Sequence, residues 1–192
     1  LNARLLCNLA NTHIYENTKA NYYSLGEEMG GAMLEDLKKA KKFIFLEYFI
    51  IEEGKFWNSV LSILKEKVAL GVEVRVIYDD IGCMMTLPGD YYKTLNKMGI
   101  KCVPFSKLKG QANNEFNNRS HRKILVIDGE IGYNGGINLA DEYINAFEKY
   151  GHWKDIGVRI EGEAVNELTR LFLSDYEMNI TSEVEDFTPY LS

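Results

Sequence analysis

The segment 43–50, FIFLEYFI, is the strongest constraint on the fold: an aromatic and β-branched apolar run that reads as a buried strand. Phe56, Val60, Leu64 and Val68 then recur at helical spacing over 56–69, Gly71 closes that helix, and 72–78 is again apolar and strand-like. A strand, an amphipathic helix and a second strand in succession make a β-α-β unit, with the two strands parallel in one sheet.

The same alternation runs along the chain. Met29, Met33, Leu34 and Leu37 predict a helix over 26–42. A shorter helix is expected over 89–98, after Pro88 and before Gly99, leading into a strand at 100–105. Residues 106–118, SKLKGQANNEFNN, are polar and irregular and read as a surface loop. Strands at 121–127 and 131–135 flank Asp128-Gly129, a hairpin signal because glycine accepts the positive φ such turns demand. A strand at 155–161 and a closing helix at 163–178 complete the pattern. The expected fold is α/β, a mixed β-sheet flanked by helices. No linker or repeat divides the chain, so 1–192 reads as a single domain in which residues 1–20 are a loosely attached N-terminal segment.

Composition narrows the class. A chain of 192 residues, 46% hydrophobic, can bury about 70% of the surface its unfolded form exposes and needs no covalent staples. Cys7, Cys83 and Cys102 form no C-x-x-C pair and no zinc-ligand spacing, which fits a reducing, cytosolic environment. No stretch approaches about 18 apolar residues and the start, LNARLLCNLANTH, lacks the regions of a signal peptide, so the chain as given reads as soluble. A net charge of −6 weighs against nucleic acid, which a local basic patch would have to hold against the overall field. The densest basic cluster is Lys38, Lys39, Lys41 and Lys42. It falls at the end of the first predicted helix, where cations complement the dipole; an anionic membrane surface is the other use open to it.

Of the three histidines, His13 lies in the loose N-terminal stretch, whereas His121 opens a strand with Lys123 two residues on. Side chains alternate along a strand, so His121 and Lys123 share a face and Asp128 points the other way. Pairing across the hairpin sets Gly136 or Asn138 opposite His121, and in either register Asn138 joins the same face. An imidazole, an ammonium and a carboxamide then converge beside Gly135 and Gly136, which let a ligand approach the backbone closely. This trio suits a phosphate ester: the imidazole attacks phosphorus or moves protons, while Lys123 and Asn138 hold the non-bridging oxygens. No set of carboxylates and histidines is placed to bind metal, and no cofactor is expected. Glu47, inside an apolar strand, needs a partner if buried. Asp79 and Asp80 end a predicted parallel strand, where α/β sheets place ligands and where helices are also capped.

His-x-Lys, four residues, Asp128, six residues, then Gly-Gly-x-Asn resembles the signature of the phospholipase D superfamily. The surroundings are similar to those of bacterial cardiolipin synthases in LEYFIIEEGKFW (46–57), GVEVRVIYDDIG (71–82), HRKILVIDG (121–129), GGINLADEY (135–143) and GHWKD (151–155). The likeness covers about residues 22–178; Ser120 stands where many relatives have Asn. It implies condensation of two phosphatidylglycerol molecules into cardiolipin and glycerol through a phosphatidyl-histidine. The implied catalytic set is His121, Lys123, Asp128, Asn138 and Asp155. In it His121 is the nucleophile or its acid/base counterpart, Lys123 and Asn138 bind phosphate, and Asp155 hydrogen-bonds the far nitrogen of His121 and fixes its tautomer. Lys123, Asn138, Gly135, Gly136, His152 and Trp153 are the expected substrate contacts.

Superfamily sites need two such motifs facing each other, and this chain has one. It therefore reads as the first catalytic half of a longer protein, partnered by a second half or a second copy. Phosphatidylglycerol and the anionic cytoplasmic face of the cell membrane are the implied partners. A homodimeric single-motif phosphodiesterase or nuclease, and a non-catalytic half that binds lipid headgroups, are the alternatives.

Overall fold

The computed structural model describes residues 5, 7, 9, 13–107, 119–180 and 186–191. Most of residues 1–12 and the 108–118 part of the expected surface loop lie outside them. The elements run β1 (Thr18–Tyr23), α1 (Gly26–Leu37), β2 (Phe43–Tyr48), α2 (Lys55–Ala69), β3 (Glu73–Asp79), α3 (Tyr91–Lys97) and β4 (Lys101–Phe105). After these come β5 (Lys123–Ile127), β6 (Ile131–Gly135), a 3-10 turn at Asp141–Ile144, β7 (Gly157–Gly162), α4 (Val165–Met178) and a last 3-10 turn at Thr188–Tyr190. The strands form one sheet in the order β1-β7-β6-β5-β2-β3-β4. β2, β3 and β4 pair parallel, as the β-α-β reading requires, and the other neighbours pair antiparallel.

β2 is central and buried along its whole length, because helices cover both faces of the sheet. Ile44, Leu46 and Tyr48 join the larger core with Met33 and Leu37 of α1 and Trp57, Val60 and Leu64 of α2. Phe43 and Phe45 project to the other face, into a smaller core with Phe172, Leu173 and Tyr176 of α4. Phe45 stacks on Phe172 with ring centroids 4.7 Å apart. Burial of this apolar surface at about 25 cal/mol per Å² is the main force holding the layers together.

Three expectations are corrected. Residues 18–20 are not loose, since β1 pairs antiparallel with β7 from Thr18↔Gly162 to Tyr23↔Gly157. As a mostly exposed edge strand it carries no apolar alternation to betray it. The helix predicted over 26–42 stops at Leu37, and the backbone N–H groups of Lys41, Lys42 and Phe43 instead donate to the Asp128 carboxylate at 2.8, 2.7 and 2.9 Å. The hairpin takes neither anticipated register. Asp128 (φ 57°) and Gly129 (φ 72°) make a tight left-handed turn closed by Glu130 N–H to the Ile127 carbonyl, yet Ile127 pairs with Ile131. Glu130 is thus an extra residue, which shifts the pairing by one.

Candidate active site

The C-terminal end of β2, the start of β5 and the segment after β6 meet at one edge of the sheet. Tyr48 pairs with Lys123, so the residue that follows β2, Phe49, comes up beside His121. The Phe49 ring meets the His121 ring edge-on with centroids 4.8 Å apart, and Lys123 Nζ lies 5.5 Å from the centre of the same ring. Phe49 is therefore the floor shared by both groups. Sequence reasoning gave it no role, although it sits inside the LEYFI segment that carries the resemblance.

Lys123 is 5% exposed and donates to the His121 carbonyl at 2.8 Å, which leaves further N–H groups for a ligand. Burial pushes its ammonium down to about 8, partly countered by the Asp155 charge. His121 is exposed, and its imidazole is lowered by desolvation and by the Lys123 charge, with Asp79 acting the other way. The ring is accordingly neutral at neutral pH, the form in which it can attack.

Asn138 is 2% exposed and reaches the same edge by a route other than strand parity. With the shifted register, Ile137 rather than Asn138 follows the His121 face; β6 ends at Gly135, and the chain after it runs free of the ladder. Asn138 Oδ1 accepts from Ile50 N–H at 3.0 Å, and its amide hydrogen-bonds Tyr143. This fixes the carboxamide one residue beyond Phe49.

Asp155 is within electrostatic reach of Lys123, but its carboxylate is engaged elsewhere than on His121. Oδ2 accepts from Trp153 Nε1 at 3.2 Å and Oδ1 from Ile156 N–H at 2.8 Å. Among the described residues nothing hydrogen-bonds the His121 ring. Trp153, half-buried against Tyr143 with ring centroids 4.8 Å apart, orients Asp155. His152 is turned to Glu27, with Nε2 3.3 Å from Oε1. The two glycines serve the chain itself: a Cβ on Gly136 would lie 1.9 Å from Asp155 Oδ1, and one on Gly135 2.7 Å from the Ile156 carbonyl. Asp128 sits at the far end of β5, bound to the backbone of 41–43, and is not brought to the site. Gly136→Ala is expected to dislodge Asp155 and weaken its hold on Lys123, moving the Lys123 titration further below about 8. An NMR titration of the Lys123 side chain checks this; an unmoved titration contradicts it.

The cardiolipin synthase, PLD-like domain family matches residues 33–176 of this geometry. The chain belongs to that family. It is 50% identical over 179 residues to an uncharacterized protein of Streptococcus mutans, covering 93% of this chain and 38% of that protein. It is 38% identical over 161 residues to a cardiolipin synthase of Oceanobacillus iheyensis, covering 84% and 33%. The chain thus spans about a third of the length of the curated relatives it matches. Among solved structures it resembles phosphatidylserine synthase from Haemophilus influenzae at TM-score 0.65 and 16% identity, covering 98% of this chain and 45% of that one. NucT from Helicobacter pylori matches at TM-score 0.64 and 14% identity, covering 84% and 97%. These likenesses establish the phospholipase D-like fold of the family member described above.

Proposed function

We propose that this chain is one catalytic half of a phosphatidyltransferase that makes cardiolipin from two phosphatidylglycerol molecules at an anionic membrane surface. The observation that carries the reading is the pairing, on one Phe49 floor, of a neutral imidazole with a buried ammonium, which suits attack on a phosphodiester. A free nitrogen of His121 attacks phosphorus, and the bond from phosphorus to the glycerol headgroup oxygen breaks. That oxygen takes a proton from an acid supplied by the partner half, and glycerol leaves. The headgroup hydroxyl of a second phosphatidylglycerol, losing its proton to the same group, then attacks phosphorus, releases His121 and yields cardiolipin. Lys123 and the remaining Asn138 amide hydrogen stabilise the non-bridging oxygens as their charge develops. Asp155, held by Trp153, keeps Lys123 charged. No step calls on a metal or cofactor.

Two coverages support a two-half architecture: the chain matches only 38% and 33% of the two relatives, and the phosphatidylserine synthase chain is covered to 45%. The near-complete coverage of NucT favours a second reading, in which two copies of a single-motif chain build one site. Incubating the full-length protein with labelled phosphatidylglycerol tests the proposal. Equimolar cardiolipin and glycerol are expected; release of phosphatidic acid alone, or cleavage of nucleic acid in its place, overturns it.

The free-enzyme parameter kcat/KM should rise with pH through a value below 6.5 as His121 loses its proton. It should fall as pH rises through about 8, where Lys123 loses its charge. Because the folded Lys123 binds its proton more weakly than an unfolded lysine, burying the charge opposes folding below about 8, and this penalty is relieved as pH rises toward the unfolded value. Lys123→Met should therefore melt higher than wild type at pH 7 while losing activity. A profile with no alkaline limb near 8, or a Lys123→Met variant that melts lower, contradicts the assignment.

A further inference from the structure

We propose that three buried carboxyl groups, Glu47 of β2, Asp79 of β3 and Asp175 of α4, position His121 by clamping the residues on either side of it. The inference rests on the phosphatidyl-transfer reading, in which His121 is the attacking group. Residues 119–122 precede β5 and have no ladder to hold their backbone, yet the geometry of attack depends on where they put the imidazole.

Each flanking residue is tied on the α4 side of the sheet. Ser120 Oγ donates to Glu47 Oε1 in a hydrogen bond buried at both ends. Arg119 Nη1 lies 3.4 Å from Asp79 Oδ1, while Nη2 donates to the Ser106 carbonyl at 3.1 Å and to its hydroxyl at 2.9 Å. Arg122 pairs with Asp175 through Nη1 and Oδ2. Asp79 is itself fixed, because Oδ1 also accepts from Ile81 and Gly82 N–H at 3.0 and 2.8 Å. With Ser120 and Arg122 pinned on one side, His121 and Lys123 are delivered to the other.

Core packing does not account for these acids. Glu47 and Asp79 are each 1% exposed, and Glu47 Oε2 and Asp79 Oδ2 have no hydrogen-bond partner among the described residues. A leucine at 47 would fill the space within FIFLEYFI without the desolvation penalty. Burial indeed pushes the Glu47 carboxyl up, against the opposing pull of Arg122. What the acids provide is a fixed backbone under a side chain whose ring, among the described residues, rests on Phe49. Misplacement of a reacting group by about 1 Å can cost on the order of 100-fold in rate.

Full-length protein carrying Glu47→Leu, Glu47→Gln, Ser120→Ala or the Glu47→Leu/Ser120→Ala pair is assayed on phosphatidylglycerol in mixed micelles. Glu47→Leu and Ser120→Ala should each lower kcat about 10- to 100-fold with KM within about two-fold. Glu47→Gln, whose amide oxygen still accepts from Ser120, should recover most of the rate. The pair should be no worse than its worse single variant, since both break one contact. Independently of any lipid chemistry, the ¹⁵N order parameter of the His121 amide in the chain should fall from about 0.85 to below about 0.6 in Glu47→Leu. Unchanged kcat in Glu47→Leu, an unchanged His121 order parameter, or losses that track the unfolded fraction in thermal melts would overturn the clamp. If wild type transfers no phosphatidyl group, the functional reading fails alone and the relaxation measurement still decides the clamp.

Discussion

Replacing His121 by alanine in the full-length protein is expected to reduce cardiolipin formation by about 10⁴-fold or more, because loss of a covalent nucleophile removes the reaction path and not merely a contact. Stability should barely change. The side chain is exposed, makes one edge contact with Phe49, and leaves behind no buried partner when removed, so the expected cost is within about 0.5 kcal/mol. Headgroup binding should survive, since Lys123 and Asn138 are held by the His121 carbonyl and by Ile50 N–H, neither of which belongs to the imidazole. Mass-spectrometric counting of cardiolipin beside a thermal melt checks both halves of the expectation. A variant that keeps a tenth of the wild-type rate, or one that unfolds, would contradict the assigned role.

Asp128→Ala should behave in the opposite way, with a large loss of stability and little loss of rate per folded molecule. The carboxylate receives three backbone N–H groups at the entry to β2, and hydrogen bonds to a charged acceptor contribute about 1.5–3 kcal/mol each. Lys41 and Lys42 are exposed and recover water, whereas Phe43 is buried and its amide is left without a partner. Alanine at a φ of 57° adds about 1–2 kcal/mol of backbone strain that Asp or Asn tolerates better. A total on the order of 3 kcal/mol corresponds to a drop of about 6–12 °C in melting temperature for a domain of this size. Asp128→Asn keeps one acceptor oxygen and the left-handed preference, and should lose roughly half as much. Calorimetry with rates measured well below the transition decides it. A stable but inactive Asp128→Ala would place this carboxylate in the chemistry after all.

The contrast between these two signature residues shows what the sequence could and could not convey. FIFLEYFI, the amphipathic 56–69 run and the second apolar strand are local signals, and the β-α-β unit they predict is present. The segment after α1 is not set locally: lysines at 38, 39, 41 and 42 suit a helix, yet the backbone at 41–43 is held by a carboxylate more than 80 positions away in the chain. β1 escaped notice because an exposed edge strand needs no apolar face. Asp128 is kept from His121 by position and not by strand parity, since it lies in the left-handed turn beyond the far end of β5. Applied to Asn138, parity relied on a register that the extra turn residue, Glu130, alters, and the carboxamide arrives by leaving the strand. Asp155, expected on His121 from the resemblance, is held by Trp153 and acts on Lys123, a tertiary arrangement that no spacing encodes. Glu47 was visible as an acid in an apolar strand, but its partner Ser120 lies 73 positions away and could be found only in the fold.

The proposed mechanism puts the phosphatidyl group on His121. The direct measurement is to mix full-length protein with phosphatidylglycerol, quench within the first turnover under alkaline denaturing conditions that preserve a phosphoramidate, and map the adduct by peptide mass spectrometry. One phosphatidyl mass is expected on the peptide containing His121, lost on brief acid treatment and absent in His121→Ala. An active enzyme whose adduct sits on a serine, a cysteine or another histidine, with His121 unmodified, would contradict it.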